Sequence, residues 1–225
     1  MAKPLIIINF KAYEQATGEN AVKLAKECQA AAKKAKGKAR IPIAVQTSDI
    51  YRVGASIDRN ILEIFAQHID SAGQGKFTGY NTAEAAREAG AIGTLLNHAE
   101  HKITDIAKRI TIAKNAGLKT VVCAANLAEA KMIASLTPAP DYIAVEPPEL
   151  IGGKISVSKA NPELIEAAVA AVKQANSKII VLCGAGVNSK EDVRKALELG
   201  TEGVLLASSV VLANDPEEAL AGLLR

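Results

Sequence analysis

The feature that most restricts this chain is an alternation sustained from end to end. Short runs of Ile, Val and Leu are each followed by a longer segment rich in Ala, Lys and Glu. A brief, continuously apolar run bounded by turn residues reads as a strand buried on both faces. Apolar residues recurring three and four apart read as a helix packed on one side. The predicted strands are Leu5–Phe10, Ile41–Gln46, Leu62–His68, Ile92–Leu96, Lys119–Ala124, Tyr142–Val145, Lys178–Cys183 and Gly203–Leu206. Helices are predicted at Glu19–Lys36, from Ser48, at Ala83–Ala89, Ile103–Ala116, Leu127–Ser135, Pro162 to about Gln174, Ser189–Leu199 and Pro216–Leu224. Gly90, Gly117 and Gly200 supply stops, and Asn161 before Pro162 supplies a start, since Pro suits the first helical position.

Strands joined through helical crossovers run parallel. Eight such units of roughly 28 residues each can close into a (β/α)₈ barrel and leave no sheet edge. The competing arrangement, a doubly wound open sheet, more often has five or six strands. No linker or compositional break divides the chain, so residues 1–225 read as one α/β domain. Hydrophobic residues make up 49% while aromatics make up only 3% and Trp is absent, so the core must be built from Ala, Val, Ile and Leu.

Several functions are disfavoured at once. A net charge of +3 demands neither a nucleic-acid nor a membrane partner. The basic cluster Lys33, Lys34, Lys36, Lys38 and Arg40 reads as a solvated helix end. The apolar run in MAKPLIIINF is too short for a signal peptide or a membrane span. Cys28, Cys123 and Cys183 fit no zinc or redox spacing and read as reduced cytosolic thiols.

A barrel places its chemistry just beyond the strand C-termini. The polar residues there are Asn9 and Lys11, Gln67 and His68, Asn97, His98 and Glu100, and Glu146, followed by Gly184–Gly186 and by Ala207 with Ser208. Alternation along a strand points Asn9 and Lys11 the same way, setting an amide and an ammonium over a ligand; a strand-end amide and a surface lysine is the plainer alternative. His98 follows the buried run TLL and precedes a helix, whose positive dipole end would keep the imidazole neutral and able to donate to a substrate oxygen. A capping or loop histidine is the alternative there. His68 is a weaker candidate at the barrel end, and His101 lies in a charged, solvated stretch.

Glu146 ends an apolar strand, where partial desolvation strengthens a carboxylate as a base; a structural ion-pair partner is the alternative. Pro147 and Pro148 stiffen one end of the loop that follows, and Gly152 and Gly153 free the other before Lys154, a lid pattern. CGAGV (183–187) and LLASS (205–209) let backbone N–H groups approach an anion, and Ser208 can start a short helix facing it.

INFKAY (8–13), TLLNHAEHK (94–102), AVEPPELIGG (144–153), CGAGV and EGVLLASS (202–209) together resemble the triosephosphate isomerase family across nearly the whole chain. The short length and the Glu-Pro-Pro-Glu and Gly-Ala-Gly loops look most like its archaeal branch, which is often tetrameric. That resemblance implies a cytoplasmic aldose–ketose isomerase of glycolysis and gluconeogenesis. It would interconvert dihydroxyacetone phosphate and D-glyceraldehyde 3-phosphate through an enediolate, with no cofactor and no metal. It further implies a small sugar-phosphate partner and a homo-oligomer, a tetramer by preference with a dimer as the alternative. Carried over by position, Glu146 is the base, His98 the electrophile, Lys11 the stabiliser of enediolate charge and Asn9 a substrate-orienting amide. Glu100 stands where the family keeps a second carboxylate. Ile151, Gly152, Gly186, Ala207 and Ser208 supply phosphate contacts.

Some positions depart from the better-known pattern: Ala99 replaces a serine, His101-Lys102 an arginine pair, Gly186 a serine, and Ala207-Ser208 a Gly-Gly. Lys76-Phe77-Thr78-Gly79-Tyr80 resembles a loop that docks into a partner subunit, an ordinary exposed turn being the plainer reading. Two other functions compete. A barrel aldolase would need a Schiff-base lysine, for which Lys11 is the comparable candidate. A phosphometabolite-binding barrel without catalysis would need only the two phosphate loops.

Overall fold

Eight short apolar strands do close on one another. The computed structural model describes residues 3–153 and 156–225 and pairs the strands in parallel, in sequence order, as a closed barrel. They are β1 (Leu5–Asn9), β2 (Pro42–Val45), β3 (Glu63–Ala66), β4 (Gly93–Leu96), β5 (Lys119–Ala124), β6 (Tyr142–Val145), β7 (Ile180–Gly184) and β8 (Gly203–Leu206). Pairing of Leu5 with Gly203 and of Ile8 with Leu206 closes the ring between β1 and β8. The helices outside it are α1 (Glu19–Lys34), α2 (Ile50–Ser56), α3 (Ala83–Glu88), α4 (Ile106–Asn115), α5 (Leu127–Ala134), α6 (Val157–Ala160), α7 (Pro162–Ala175), α8 (Lys190–Glu198), α9 (Ser208–Val211) and α10 (Pro216–Leu223).

Strand alternation sorts the apolar residues into two cores. Leu5, Ile7, Ala44, Phe65, Leu95, Val121 and Leu205 fill the barrel interior, while Ile6, Ile8, Ile43, Ile64, Val122 and Ile143 face the helices. Burying each such aliphatic side chain stabilises the fold by about 1.5–3 kcal/mol. The one interior Phe is accommodated by a missing side chain across the sheet. Gly93 pairs with Phe65, and a Cβ at Gly93 would stand 2.7 Å from its ring.

Several expected bounds are displaced: β3 is shorter than Leu62–His68, the helix expected from Ser48 starts at Ile50 after a 3₁₀ turn at Thr47–Asp49, and β7 starts two residues later than Lys178 and runs on to Gly184. Phe10 and Lys11 lie beyond β1, because Lys11 turns into the left-handed region at φ 51. α1 stops at Lys34, where Lys36 and Gly37 adopt φ 49 and 72. α4 starts at Ile106, three residues later than its apolar pattern suggested, because Asn97–Asp105 is held as a looped segment by side-chain bonds. Asn161 caps α7 through its side chain, which accepts from Leu164 N–H, with Pro162 beside it. Among the described residues no helix is long and apolar enough to cross a membrane.

Candidate active site

At the C-terminal end of the barrel the strand-following loops surround a cavity open to solvent. Asn9, Lys11, His98, Glu146, Ile151, Gly152, Gly186, Ala207 and Ser208 all line it. They come from loops after five different strands, so only barrel closure brings them together.

Glu146 stands directly after β6, its N–H bonded to Ala124 O at 2.8 Å. Opposite it β7 ends in Gly184, where a Cβ would overlap Glu146 Cγ and lie 2.7 Å from its carboxyl carbon. The side chain can therefore fold into the mouth only because residue 184 has none. Glu146 is 5% exposed, and its Oε2 has no hydrogen-bond partner among the described residues. Burial raises its carboxyl above the usual carboxylate range, against the opposing pull of His98, the Cys123 thiol and Lys11.

His98 is buried, and its Nε2 lies 3.9 Å from Glu146 Oε2. The expected helix dipole does not reach it, since α4 begins eight positions later. Glu100 N–H donates instead to His98 Nδ1 at 3.1 Å. An accepting nitrogen carries no proton, so the ring N–H is at Nε2, the atom facing Glu146.

Lys11 leaves β1 through its left-handed turn, with its N–H on Asn9 Oδ1 at 3.0 Å. Gln67 braces that turn, donating to Lys11 O at 2.9 Å and to Ala44 O at 3.1 Å. Strand alternation thus does not aim Lys11; the turn does. Its ammonium pairs with Glu100 Oε1 at 2.6 Å. Glu100 itself is half exposed and lies outside the cavity lining, beside the site rather than in it.

The opposite wall is backbone. Among the described residues, the N–H groups of Gly152, Gly186 and Ser208 meet no protein acceptor. Ser208 begins α9, as its sequence suggested. Asn188 ties this wall to the lid, donating to Gly186 O at 2.7 Å and Gly153 O at 3.2 Å. Lys154, at the end of the expected lid, lies outside the described residues. Tyr13, Val187 and Leu205, which sequence reasoning met only as members of the first-strand and phosphate-loop motifs, also line the cavity, as does Asn188, which it missed because nothing in its local pattern distinguishes it from a turn residue.

His68 is brought elsewhere. Its Nε2 meets Arg109 Nη1 at 2.6 Å and its ring stacks on His101 at 3.9 Å, away from the cavity. Burial, followed by His101 and Arg109, pushes its pKa down to about 4. Among the described residues no cluster of His, Cys, Asp and Glu is placed to hold a metal ion.

Comparison with known proteins gives the family and the fold. The family model described as triosephosphate isomerase matches residues 4–223. A protein named triosephosphate isomerase from Methanosarcina acetivorans is 46% identical over 227 residues, covering 100% of this chain and 99% of its own. One from Methanothermus fervidus is 46% identical over 226 residues, with the same coverage. The crystal structure of triosephosphate isomerase from Bartonella henselae superposes with a TM-score of 0.73 at 20% identity, covering 98% of this chain and 97% of its own, a likeness of fold.

Proposed function

This chain belongs to the triosephosphate isomerase family, and on that premise we propose that Glu146, His98 and Lys11 carry its chemistry at the barrel mouth. The enzyme is an aldose–ketose isomerase that interconverts dihydroxyacetone phosphate and D-glyceraldehyde 3-phosphate. Such a reaction needs one base able to serve two adjacent carbons, one hydrogen-bond donor for the oxygens between which charge moves, and a distant grip on the phosphate.

Glu146 takes a proton from one carbon, leaving an enediolate; the hydroxyl proton passes from that carbon's oxygen to its neighbour's, and Glu146 returns a proton to the neighbouring carbon. A carboxylate with a raised pKa and an unpartnered oxygen is suited to both steps. The Nε2–H of His98 donates to the oxygen that gains charge. The Lys11 ammonium offsets that charge, and Asn9 orients the substrate. Gly152, Gly186 and Ser208 receive the phosphate on their free N–H groups, with Ile151 and Ala207 completing the wall. Binding energy gathered there acts far from the reacting carbons. Closure of the 147–153 lid would exclude water from the enediolate.

The carrying observation is the approach of Glu146 Oε2 to His98 Nε2 at 3.9 Å inside a cavity also lined by Gly152, Gly186 and Ser208, whose N–H groups meet no protein acceptor among the described residues. The aldolase alternative fares worse, since the Lys11 ammonium is already paired with Glu100. Borohydride with substrate is expected to trap no adduct. We read all 225 residues as one domain, needing no cofactor or metal, working in the cytoplasm in glycolysis and gluconeogenesis as a homo-oligomer, a tetramer before a dimer. The test is a coupled assay of glyceraldehyde 3-phosphate conversion to dihydroxyacetone phosphate by the purified protein. Conversion without added metal or cofactor is expected; none at any pH between 6 and 9 would refute the reading.

A further inference from the structure

The segment that aims His98 is anchored from outside the cavity by one carboxylate. Glu129, on the first turn of α5, is contacted from three directions. Ala125 N–H donates to its Oε2 at 2.6 Å. Asn97 Nδ2 donates to its Oε1 at 2.8 Å. Lys102 Nζ reaches both oxygens at 3.2 and 3.3 Å. Asn97 and Lys102 flank His98 on either side, so Glu129 grips both ends of the turn that carries the imidazole and Glu100. Asn97 closes the clamp: it holds φ 58, donates also to Cys123 O at 2.9 Å, and accepts from Ile103 N–H at 3.3 Å.

We propose that Glu129 is a positioning residue for the isomerisation, setting the direction of His98 Nε2 without touching substrate. The inference rests on the role given to His98 above. Its physical basis is that His98 has no helix of its own to hold it. The turn from Asn97 to Lys102 is irregular, and the Glu100 N–H bond that sets the imidazole tautomer lies within it. Loosening either end moves that N–H and the ring together. A shift of about 1 Å in a catalytic group costs up to a hundredfold in rate. The carboxylate is matched to the task, because all its partners are donors. Burial alone would raise its pKa, but the bonds from Ala125, Asn97 and Lys102 hold it below the usual carboxylate range. An amide at this position would turn an N–H₂ toward at least one of those donors.

The test compares Glu129→Gln and Lys102→Ala with the wild-type enzyme and with His98→Asn. Steady-state kinetics and inorganic phosphate affinity are measured for each, and the ¹⁵N resonances of the His98 ring for every form that keeps it. Glu129→Gln is expected to lower kcat about tenfold to a hundredfold. Phosphate affinity should stay within about twofold, and the His98 ring signals should shift or broaden. Lys102→Ala removes a half-exposed donor and is expected to move the same readouts in the same direction by less. It keeps the test alive if the Gln variant does not fold. A kcat within twofold of wild type and unmoved His98 resonances in the folded variants would overturn the proposal. So would a loss shared equally by kcat and phosphate affinity, which marks general damage. If His98→Asn itself retained full turnover, the role of His98 would fall; if only the Glu129 and Lys102 variants were silent, only the positioning role would.

Discussion

Glu146, the proposed base, is costly to its own fold. It is buried with one oxygen unpartnered, and burial raises its pKa. A carboxyl raised on folding stabilises the native state below its unfolded pKa, and that contribution is lost as pH rises through the higher folded value. Ionised Glu146 is therefore a liability at neutral pH. Glu146→Gln should raise the Tm at pH 7 by about 2–12 °C, the scale of about 1–3 kcal/mol for one uncompensated buried polar group. The gain should vanish near pH 4, and calorimetry at both pH values checks it; an equal Tm at pH 7 would mean the free oxygen costs nothing. The same raised value predicts that wild-type turnover declines on the acid side while the pH is still above the ordinary carboxylate range, read from a kcat–pH profile.

Elements supply the positions that no residue could hold alone. Gly184→Ala at the end of β7 puts a methyl group where Glu146 Cγ lies, so kcat should fall about a hundredfold with phosphate affinity retained. Kinetics within a few-fold of wild type would show that Glu146 has another resting place. The loop after β7 runs into α8, whose start is a capping box between Ser189 and Asp192. Asp192 also accepts from Ser156 Oγ and Asn188 N–H, both at 3.0 Å, and pairs with Lys159 at 2.7 Å. Burial opposes its ionisation, but Lys159, Asn188, Ser189 and Ser156 together hold its pKa near 2. A depressed carboxyl stabilises above its unfolded pKa and loses that contribution as pH falls toward the folded value. Asp192→Ala should thus cost about 2 kcal/mol at pH 7 and progressively less below pH 4, measured by denaturant titration at each pH. Much of this scale was legible in the sequence. Buried strands announce themselves as continuous apolar runs, and β5, β6 and β8 fall where those runs do. The late start of α4 was not legible, because it depends on Asn97 reaching Cys123 O and Glu129 in the neighbouring β5–α5 unit, contacts with no local signal. For the same reason Glu129 escaped notice, although Asn126 three residues before it forms a cap that could have drawn attention to that turn.

At the scale of the whole molecule, closure of the ring turns a scattered set of strand-end residues into one site, and the order of strands alone settles which loops meet. That is why the mouth residues were readable before any coordinates, whereas Lys11 was aimed by a turn and Gln67 rather than by strand alternation. The barrel also leaves the 71–80 segment outside, with Phe77 46% and Tyr80 55% exposed and their rings in edge contact. In a homo-oligomer these rings would be covered by a second copy, so Phe77→Asp should shift the mass seen by light scattering toward the 23.5 kDa of one chain. The central claim is that a buried carboxylate, a neutral imidazole and an ammonium act together on a substrate held by its phosphate. Turnover of glyceraldehyde 3-phosphate by Glu146→Asp, set beside that of the wild type, tests it most directly. Retreat of the carboxylate by one methylene should cut kcat by about a hundredfold or more while phosphate still binds; an unchanged kcat would remove Glu146 from the mechanism.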